Sequence, residues 1–370
     1  MAAKVYWYGM RANVRLNMIG KVEKILKNLK VAQNLEPRQL VAIKVHFGEL
    51  GNTAHLRPNF VIPVVEHIRK HSGKPFLTDT NTLYRGHRED AASHLENAYK
   101  NGFAYSVVGA PVIIADGLRA NDETEVPISG DHFQSVYIGN AVHKADGMVV
   151  LSHFKGHPVT GFGGAIKNLG MGCGTRRGKL AMHSGLAPKI NEEKCKGDRL
   201  CVMACTFDAI SMVDKKARID EDKCVSCGEC IGVCPYLAIS VQWGEHSGSR
   251  TVSEKLAEYA LGAVAGKKDR VWYINFVMRV APECDCFGHT DMPIVPDLGI
   301  FASTDPVALD QACLDAVNQV QGLPGSALGD ELMPPDKFQA IHRHSEPEAQ
   351  LIHAEKIGLG SREYELIQHR

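Results

Sequence analysis

Four cysteines followed by a proline constrain this chain more than any other feature. They are Cys224, Cys227, Cys230 and Cys234, with Pro235 after the last, in the spacing C-x2-C-x2-C-x3-C-P. In ferredoxin-type modules three such thiolates hold one iron-sulfur cluster, and the fourth reaches a second cluster. Zinc is the alternative occupant of paired cysteines, but a second copy of the pattern favours iron and sulfide.

The second copy lies upstream and is degenerate. Its members Cys195, Cys201 and Cys205 align with Cys224, Cys230 and Cys234, and Asp198 stands at the position of Cys227. Crossed ligation, as in two-cluster ferredoxins, predicts two ligand sets. They are Cys224, Cys227, Cys230 and Cys205 for one [4Fe-4S] cluster, and Cys195, Asp198, Cys201 and Cys234 for the other.

Asp198 leaves the nature of the second cluster open. A carboxylate is a harder ligand than a thiolate, so the iron that faces it should be held less firmly. We therefore expect either an Asp-ligated [4Fe-4S] cluster or a [3Fe-4S] cluster, over which Asp198 is only a solvated turn residue.

The composition restricts the class of protein. Lys plus Arg and Asp plus Glu both number 42 in 370 residues, a balance that argues against binding to nucleic acid or to a membrane surface. No apolar run approaches the roughly 20 residues that span a bilayer, and the first residues lack a signal-peptide core. We therefore expect a cytoplasmic protein, whose clustered cysteines suit metal rather than disulfides. Low-potential clusters suggest an anaerobic host.

Outside the cysteine-rich region, short apolar runs alternate with segments of helical periodicity. Strands are predicted at residues 5–8, 40–46, 75–79, 112–116, 147–151, 271–275 and 298–303, and helices at 14–29, 58–71, 253–261, 307–320 and in the tail from 334. This alternation predicts an α/β fold with a mainly parallel sheet and helices on both faces.

The change in composition predicts one insertion into that fold. Residues 188–243 are expected to form an α+β, two-cluster ferredoxin-like module. The α/β domain then consists of a first part, residues 1–187, and a second part, residues 244–370, which opens with a linker at residues 244–249.

Polar residues follow the predicted strands at the edge where open α/β sheets bind ligands. The candidates are Lys44, His46, Glu49, Asp79 and Asn81. Each of them is also compatible with a solvated loop.

The strand at 147–151 leads into a glycine-rich stretch, residues 152–179, that carries several cations. Glycines permit close approach of the backbone to a ligand, although glycine loops are also purely structural. We predict that Lys155, Lys167 and Arg176 hold an anionic substrate there and that His157 donates a proton near neutral pH. The stretch matches no nucleotide-binding motif.

Four cysteines lie outside the predicted module. Cys313, in an apolar helix, is expected in the core. Cys284 and Cys286 are one residue apart in a polar loop. With Cys173 they are predicted to converge on a third metal centre, which is either a metal ion or a further cluster. The alternatives are incidental thiols or a redox-labile disulfide.

Three segments carry a family resemblance: Thr160-Gly-Phe-Gly-Gly-Ala-Ile-Lys-Asn-Leu169, Cys284-Asp-Cys-Phe-Gly288 and Ser303-Thr-Asp-Pro-Val-Ala-Leu-Asp310. The chain resembles a large family of iron-sulfur proteins, mostly from anaerobic bacteria and archaea, in which a domain of unknown function carries a ferredoxin insert. The resemblance implies four-iron cluster binding and a redox role. It implies no substrate and no catalytic residue.

Two functions from different classes follow. The first is an iron-sulfur oxidoreductase that passes electrons from a redox partner protein, through the module, to an anionic organic substrate. The second is an electron carrier or docking subunit without chemistry of its own. A metal-dependent hydrolase is a weaker third, because no hydrolase motif supports it.

Overall fold

A computed structural model describes residues 2–183, 187–242 and 248–369. The predicted linker at 244–249 and the module boundary at 243 therefore lie mostly outside the described residues. The strands are β1 Ala3–Tyr8, β2 Leu40–Val45, β3 Lys74–Asp79, β4 Val112–Ile114, β5 Glu123–Pro127, β6 Ser135–Gly139, β7 Gly147–His153, β8 Lys155–His157, β9 Gly161–Gly163, β10 Lys189–Ile190, β11 Ile210–Val213, β12 Lys216–Ile219, β13 Ile239–Ser240, β14 Val271–Val277, β15 Gly299–Ser303 and β16 Tyr364–His369.

The helices are α1 Met18–Asn28, α2 Ile62–Lys70, α3 Ala91–Lys100, α4 Tyr105–Val108, α5 Asn140–His143, α6 Ala165–Cys173, α7 Arg176–His183, α8 Leu200–Ala204, α9 Glu229–Val233, α10 Ser249–Val264, α11 Pro306–Gln319, α12 Lys337–Ile341 and α13 Ala349–Lys356. A 3-10 turn at Pro58–Phe60 precedes α2.

The central sheet has the strand order β16-β1-β15-β14-β7-β2-β3-β4. β15 runs antiparallel to both of its neighbours, and the other neighbouring pairs are parallel. The predicted α/β fold with a mainly parallel sheet is thus confirmed.

Helices cover both faces of this sheet because successive strand residues point to opposite sides. In β2, Val41 and Ile43 face one apolar core with α1 and α2. Ala42 faces the other core, which contains residues of α6, α10 and α11. Both cores exclude water from the strands, which fixes the positions of the strand ends.

Residues 188–242, called here the cysteine-rich module, form a separate small unit. β10 pairs with β13 and β11 pairs with β12, both antiparallel. The short helices α8 and α9 follow left-handed residues, Arg199 and Gly228. The module is flanked by α7 and α10, while β7 and β14 pair directly in the central sheet.

Two parts of the chain differ from the sequence prediction. The glycine-rich stretch is not an open loop, because it forms the β8–β9 hairpin, α6 and most of α7. Its glycines allow close packing: a Cβ on Gly170 would lie 2.2 Å from the carbonyl oxygen of Leu256. The tail is helical only in part, since it ends in β16, which pairs with β1.

Candidate functional site

A cavity opens at the carboxyl ends of the parallel strands. From β2 the chain proceeds to β3 and β4 on one side, and later to β7 and β14 on the other. Ligands of open α/β sheets bind at such a reversal of strand order. The cavity has a volume of about 540 Å³ and is lined by residues that follow β2, β3, β7 and β14, together with α6 and α7.

Its lining combines cations, thiols and apolar side chains. The lining residues are His46, Asp79, Thr80, Thr82, Leu83, Tyr84, Arg88, Lys155, His157, Pro158, Val159, Lys167, Asn168, Met171, Gly172, Lys179, His183, Cys284, Cys286 and Phe287.

A buried ion pair forms the floor. Lys44 Nζ lies 2.9 Å from Asp79 Oδ1, and both side chains are almost fully buried. Lys44 also donates to Asn168 Oδ1 on α6, at 2.6 Å. Burial raises the pKa of Asp79, but Lys44 and His94 outweigh burial and lower it below its usual value. The floor is therefore charged and internally neutralised.

Four cations line the walls, and they differ in how they are compensated. Arg88 Nε donates to Glu49 at 3.0 Å, and Lys155 lies 3.8 Å from Asp285. Lys179 donates to Thr80 Oγ1 and to a backbone carbonyl.

Lys167 is the fourth cation. Within residues 2–183, 187–242 and 248–369 it pairs with no carboxylate, and it donates to Cys284 Sγ at 3.7 Å. Lys167 therefore faces a thiol, whereas Arg88 and Lys155 each face a carboxylate.

Cys284 and Cys286 form a hydrogen-bonded pair at the cavity wall. The Cys286 thiol donates to Cys284, and this contact, with Lys167 and Lys155, lowers the pKa of Cys284 well below its usual value although burial opposes it. The same contact and burial raise the pKa of Cys286. Cys284 is therefore the more acidic of the two thiols.

His157 lies beside the two cysteines. One ring nitrogen and the two sulfur atoms lie within 4.8 Å of one another, close enough to share one metal ion. Its Nδ1, however, accepts from the backbone N–H groups of Val159 and Thr160 at 3.2 and 3.1 Å. The ring proton is therefore assigned to Nε2, and neither nitrogen offers a free lone pair.

The same residue is uncharged at neutral pH. Burial, followed by Lys167, lowers the pKa of His157 well below its usual value. This argues against the predicted role of His157 as an imidazolium proton donor and leaves Nε2–H as a hydrogen-bond donor.

Arg176 is not part of the cavity wall, contrary to prediction. It is buried at the start of α7 and donates to the carbonyl oxygens of Arg119 and Glu89 at 3.0 and 2.6 Å. It also packs against the module, since a Cβ on Gly232 would lie 2.5 Å from its Nη1. Arg176 connects the two units instead of holding a substrate.

Cys173 is also placed elsewhere. It is fully buried in the core formed with α10, where burial raises its pKa to about 11, and it does not belong to the group around Cys284 and Cys286. The predicted convergence of three thiols therefore needs correction. Cys313 is buried in the core, as expected.

The remaining candidates have mixed positions. Asp79 and His46 line the cavity, and Lys44 lies beneath it. Glu49 supports the wall by binding Arg88. Asn81 donates to Asp116 at 2.8 Å, and its side chain is fully buried.

Several lining residues were not predicted. Arg88 donates to the Tyr84 hydroxyl at 2.9 Å, and that hydroxyl donates to the Cys286 carbonyl at 3.2 Å. Both follow β3, so their place after a strand was a usable signal. Lys179 lies inside a helix, which hid it.

Burial and neighbouring acidic groups raise the pKa of several thiols of the module. Burial raises the pKa of Cys201, and Asp198, Cys195 and Cys234 raise it further. Burial also raises the pKa of Cys227, with Cys205 and Cys224 adding to it. Asp198 itself accepts from the backbone N–H of Leu200 at 3.2 Å.

Leu83 joins the module to the cavity. It lines the cavity and also belongs to the apolar cluster that contains Cys195, Cys201, Cys230 and Cys234. A Cβ on Gly228, next to Cys227, would lie 3.5 Å from a Leu83 methyl group. The cysteine side of the module and the cavity therefore share one wall.

A second group with metal-ligand spacing has a structural role. His132, Glu258 and His353 lie close together, but Glu258 accepts from the backbone N–H groups of Asp131, His132 and Phe133 and from His353. These bonds occupy the carboxylate, which closes the turn before β6.

These features define an α/β domain with a cationic, thiol-containing cavity and a cysteine-rich module against it. The chain belongs to the DUF362 family, described as a domain of unknown function, whose model matches residues 41–315. The predicted membership in a family with a domain of unknown function is thereby confirmed.

Two solved structures align with most of this chain at low TM-scores. The lactate racemase apoprotein from Thermoanaerobacterium thermosaccharolyticum is 12% identical, with a TM-score of 0.35 over 75% of this chain and 51% of that chain. A structural-genomics crystal structure of a Thermotoga maritima protein is 8% identical, with a TM-score of 0.44 over 84% of this chain and 61% of that chain. The chain thus spans about half to three-fifths of their lengths. No curated protein matches the sequence.

Membrane insertion finds no support in the helices. In the part of the chain that the structure describes, every helix is too short or too polar to cross a bilayer.

Proposed function

We propose that this protein is an iron-sulfur oxidoreductase of a reducing cytoplasm, in which the cysteine-rich module supplies electrons to an anionic organic substrate in the cavity. The observation that carries this proposal is the shared wall at Leu83. It brings cluster-type cysteines next to a cationic cavity in one molecule.

The donor atoms of the module fit two clusters. Cys205 and Cys224 raise the pKa of Cys227, and Asp198, Cys195 and Cys234 raise the pKa of Cys201. Such crowding of acidic groups is unfavourable unless a cation binds the deprotonated forms. Cys224, Cys227, Cys230 and Cys205 would hold one cluster, and Cys195, Asp198, Cys201 and Cys234 the other. When bound, such clusters accept and donate single electrons.

The cavity side chains favour an anion. Lys167 and Lys155 reach the cavity from α6 and β8, and a Cβ on Gly163 would lie 2.9 Å from Lys167 Cδ and 3.5 Å from Lys155 Nζ. Lys155 is buried and Lys167 is partly buried, so their attraction for a bound carboxylate or phosphate is screened less than at an exposed surface. His157 Nε2–H is a further donor to the substrate.

The test is anaerobic re-oxidation of the dithionite-reduced protein by a panel of oxidised anionic compounds. The return of visible absorbance measures the rate. We expect at least one anionic compound to re-oxidise the wild type, and Lys155→Met and Lys167→Met to slow that reaction at least about tenfold. Lys24→Met, at an exposed lysine of α1, is the matched control. Equal rates in all variants would contradict substrate binding in the cavity.

One observation favours the electron-carrier alternative. The module exposes apolar side chains, with Met203 71%, Leu237 56% and Phe207 44% accessible. Exposed apolar residues mark docking surfaces for partner proteins. A protein that is re-oxidised by partner proteins and by none of the small anions would make the carrier the better proposal.

A further inference from the structure

The Cys284–Cys286 segment is folded so that its two thiols meet. Phe287 N–H donates to the Cys284 carbonyl at 3.1 Å, which closes a tight turn. Within the turn, Cys286 N–H donates to Cys284 Sγ at 3.4 Å. The two sulfur atoms lie within 4.8 Å of each other, and both residues line the cavity.

Asp285, between them, anchors the turn. Its carboxylate accepts from His153 Nδ1 at 2.9 Å, and its carbonyl accepts from Glu49 N–H at 2.9 Å. With the intervening residue fixed on both its side chain and its backbone, the thiols on either side keep their place at the cavity wall.

Lys167 stabilises a thiolate at this position. Its Nζ lies 3.7 Å from Cys284 Sγ, and a nearby cation favours the anionic, nucleophilic form of a cysteine. Cys284 is therefore the attacking sulfur and Cys286 the resolving one.

A structural metal explains this pair less well. Two thiolates supply only half of the four ligands of a closed zinc site. The nearest candidate for a third, His157, uses Nδ1 to accept from two backbone N–H groups. Cys173, the remaining buried thiol of this region, belongs to the core behind α6.

We propose that Cys284 and Cys286 are a redox-active dithiol that reduces anionic organic disulfides bound in the cavity. This inference rests on the proposed function, in which the cysteine-rich module supplies electrons to the cavity. Two one-electron transfers of that kind would return the oxidised pair to the dithiol.

The chemistry balances in two exchange steps. The Cys284 thiolate attacks one sulfur of the substrate, its S–S bond breaks, and one substrate thiolate leaves. Cys286 then attacks Cys284 Sγ and releases the second substrate thiolate, and the Cys286 proton passes to a leaving thiolate. The cavity disulfide returns to thiolate and thiol by taking up two electrons and one proton.

The first test uses the wild-type protein, so that its result does not depend on whether a variant folds. We equilibrate it anaerobically in mixtures of reduced and oxidised glutathione, quench with acid, alkylate the free thiols and digest for mass spectrometry. The Cys284–Cys286 peptide is expected to lose two hydrogen atoms in a single two-electron transition, while Cys173 and Cys313 remain alkylated as internal controls. A peptide that stays a dithiol at every poise overturns the proposal, and so does zinc or iron that native mass spectrometry of the intact protein finds in the wild type and not in a Cys284→Ser variant.

Substrate preference is tested with three disulfide probes. Oxidised glutathione is anionic, 2-hydroxyethyl disulfide is neutral and cystamine is cationic. Lys167→Met is expected to slow single-turnover reduction of oxidised glutathione at least about tenfold more than that of cystamine, and Lys167→Arg to restore most of the rate. Equal slowing of all three probes overturns the assignment of an anionic substrate.

A Cys224→Ser variant separates this proposal from the proposed function. Single-turnover reduction by the pre-reduced dithiol requires only the cavity, and should survive in that variant. If this variant still reduces the probe once but dithionite no longer regenerates its dithiol, the electron supply from the module has failed and the dithiol proposal stands. Loss of the single turnover in a variant that keeps its secondary structure overturns the dithiol.

Discussion

The Lys44–Asp79 pair allows a quantitative test of the cavity floor. The Lys44→Met substitution leaves Asp79 buried, with Thr80 N–H at 3.0 Å as a remaining donor and without the ammonium at 2.9 Å. Removing one partner of a buried ion pair costs about 3–5 kcal/mol because the other charge stays desolvated. We expect a loss of that size in the free energy of unfolding.

Urea denaturation followed by tryptophan fluorescence measures this loss, because Trp7 and Trp272 lie in the central sheet. The matched control is Lys100→Met, whose pair with Glu96 is 50% and 66% exposed and should cost at most about 1 kcal/mol. A double substitution, Lys44→Met with Asp79→Leu, should recover a large part of the loss. Equal costs for Lys44→Met and Lys100→Met would refute the reasoning.

Three further perturbations test packing and electrostatics. Gly170→Ala places a Cβ 2.2 Å from a carbonyl oxygen of α10 and should lower the free energy of unfolding, measured by thermal melting, by about 1–3 kcal/mol. Gly248→Ala is the control, because its Cβ meets open space and should leave that free energy unchanged. Burial lowers the pKa of Lys179 to about 8, so the affinity for a dicarboxylate should fall as pH rises through about 8, and Lys179→Met should abolish that dependence. Because the Cys286 thiol lowers the pKa of Cys284, iodoacetamide should label Cys284 at a lower pH than it labels an ordinary cysteine. The Cys286→Ala substitution should shift that labelling to higher pH.

Repeating patterns made much of the fold predictable. The apolar runs at 40–46 and 147–151 correspond to β2 and β7, which pair in parallel at the centre of the sheet. Their carboxyl ends predicted the cavity edge, and Lys155 and Lys167 do line the cavity. Strand periodicity determines which residues are buried, and strand ends determine where polar residues gather.

Cys173 shows why the glycine-rich stretch was misinterpreted. Ile166, Leu169 and Cys173 recur at helical spacing and are buried on one face of α6, a stripe that the many glycines obscured. Those glycines permit close contact between elements, as at Gly170, and do not form a flexible loop.

Arg176 could not have been placed from the sequence. Its guanidinium binds carbonyl oxygens of residues 89 and 119, which are distant in sequence, and it packs on the module. Contacts of this kind depend on how two folded units meet, and local patterns do not encode that. The β16 strand was missed because its residues are only partly buried at the sheet edge.

The most direct test of the central claim is anaerobic quantitation of iron and acid-labile sulfide, with EPR, on the wild type and on Cys224→Ser and Cys201→Ser. Cys313→Ala is the control, because that thiol is buried in the core. We predict about seven or eight irons per chain in the wild type and in Cys313→Ala, with each module variant losing one cluster signal. Zinc in place of iron, or an iron content that neither module variant changes, would contradict the account.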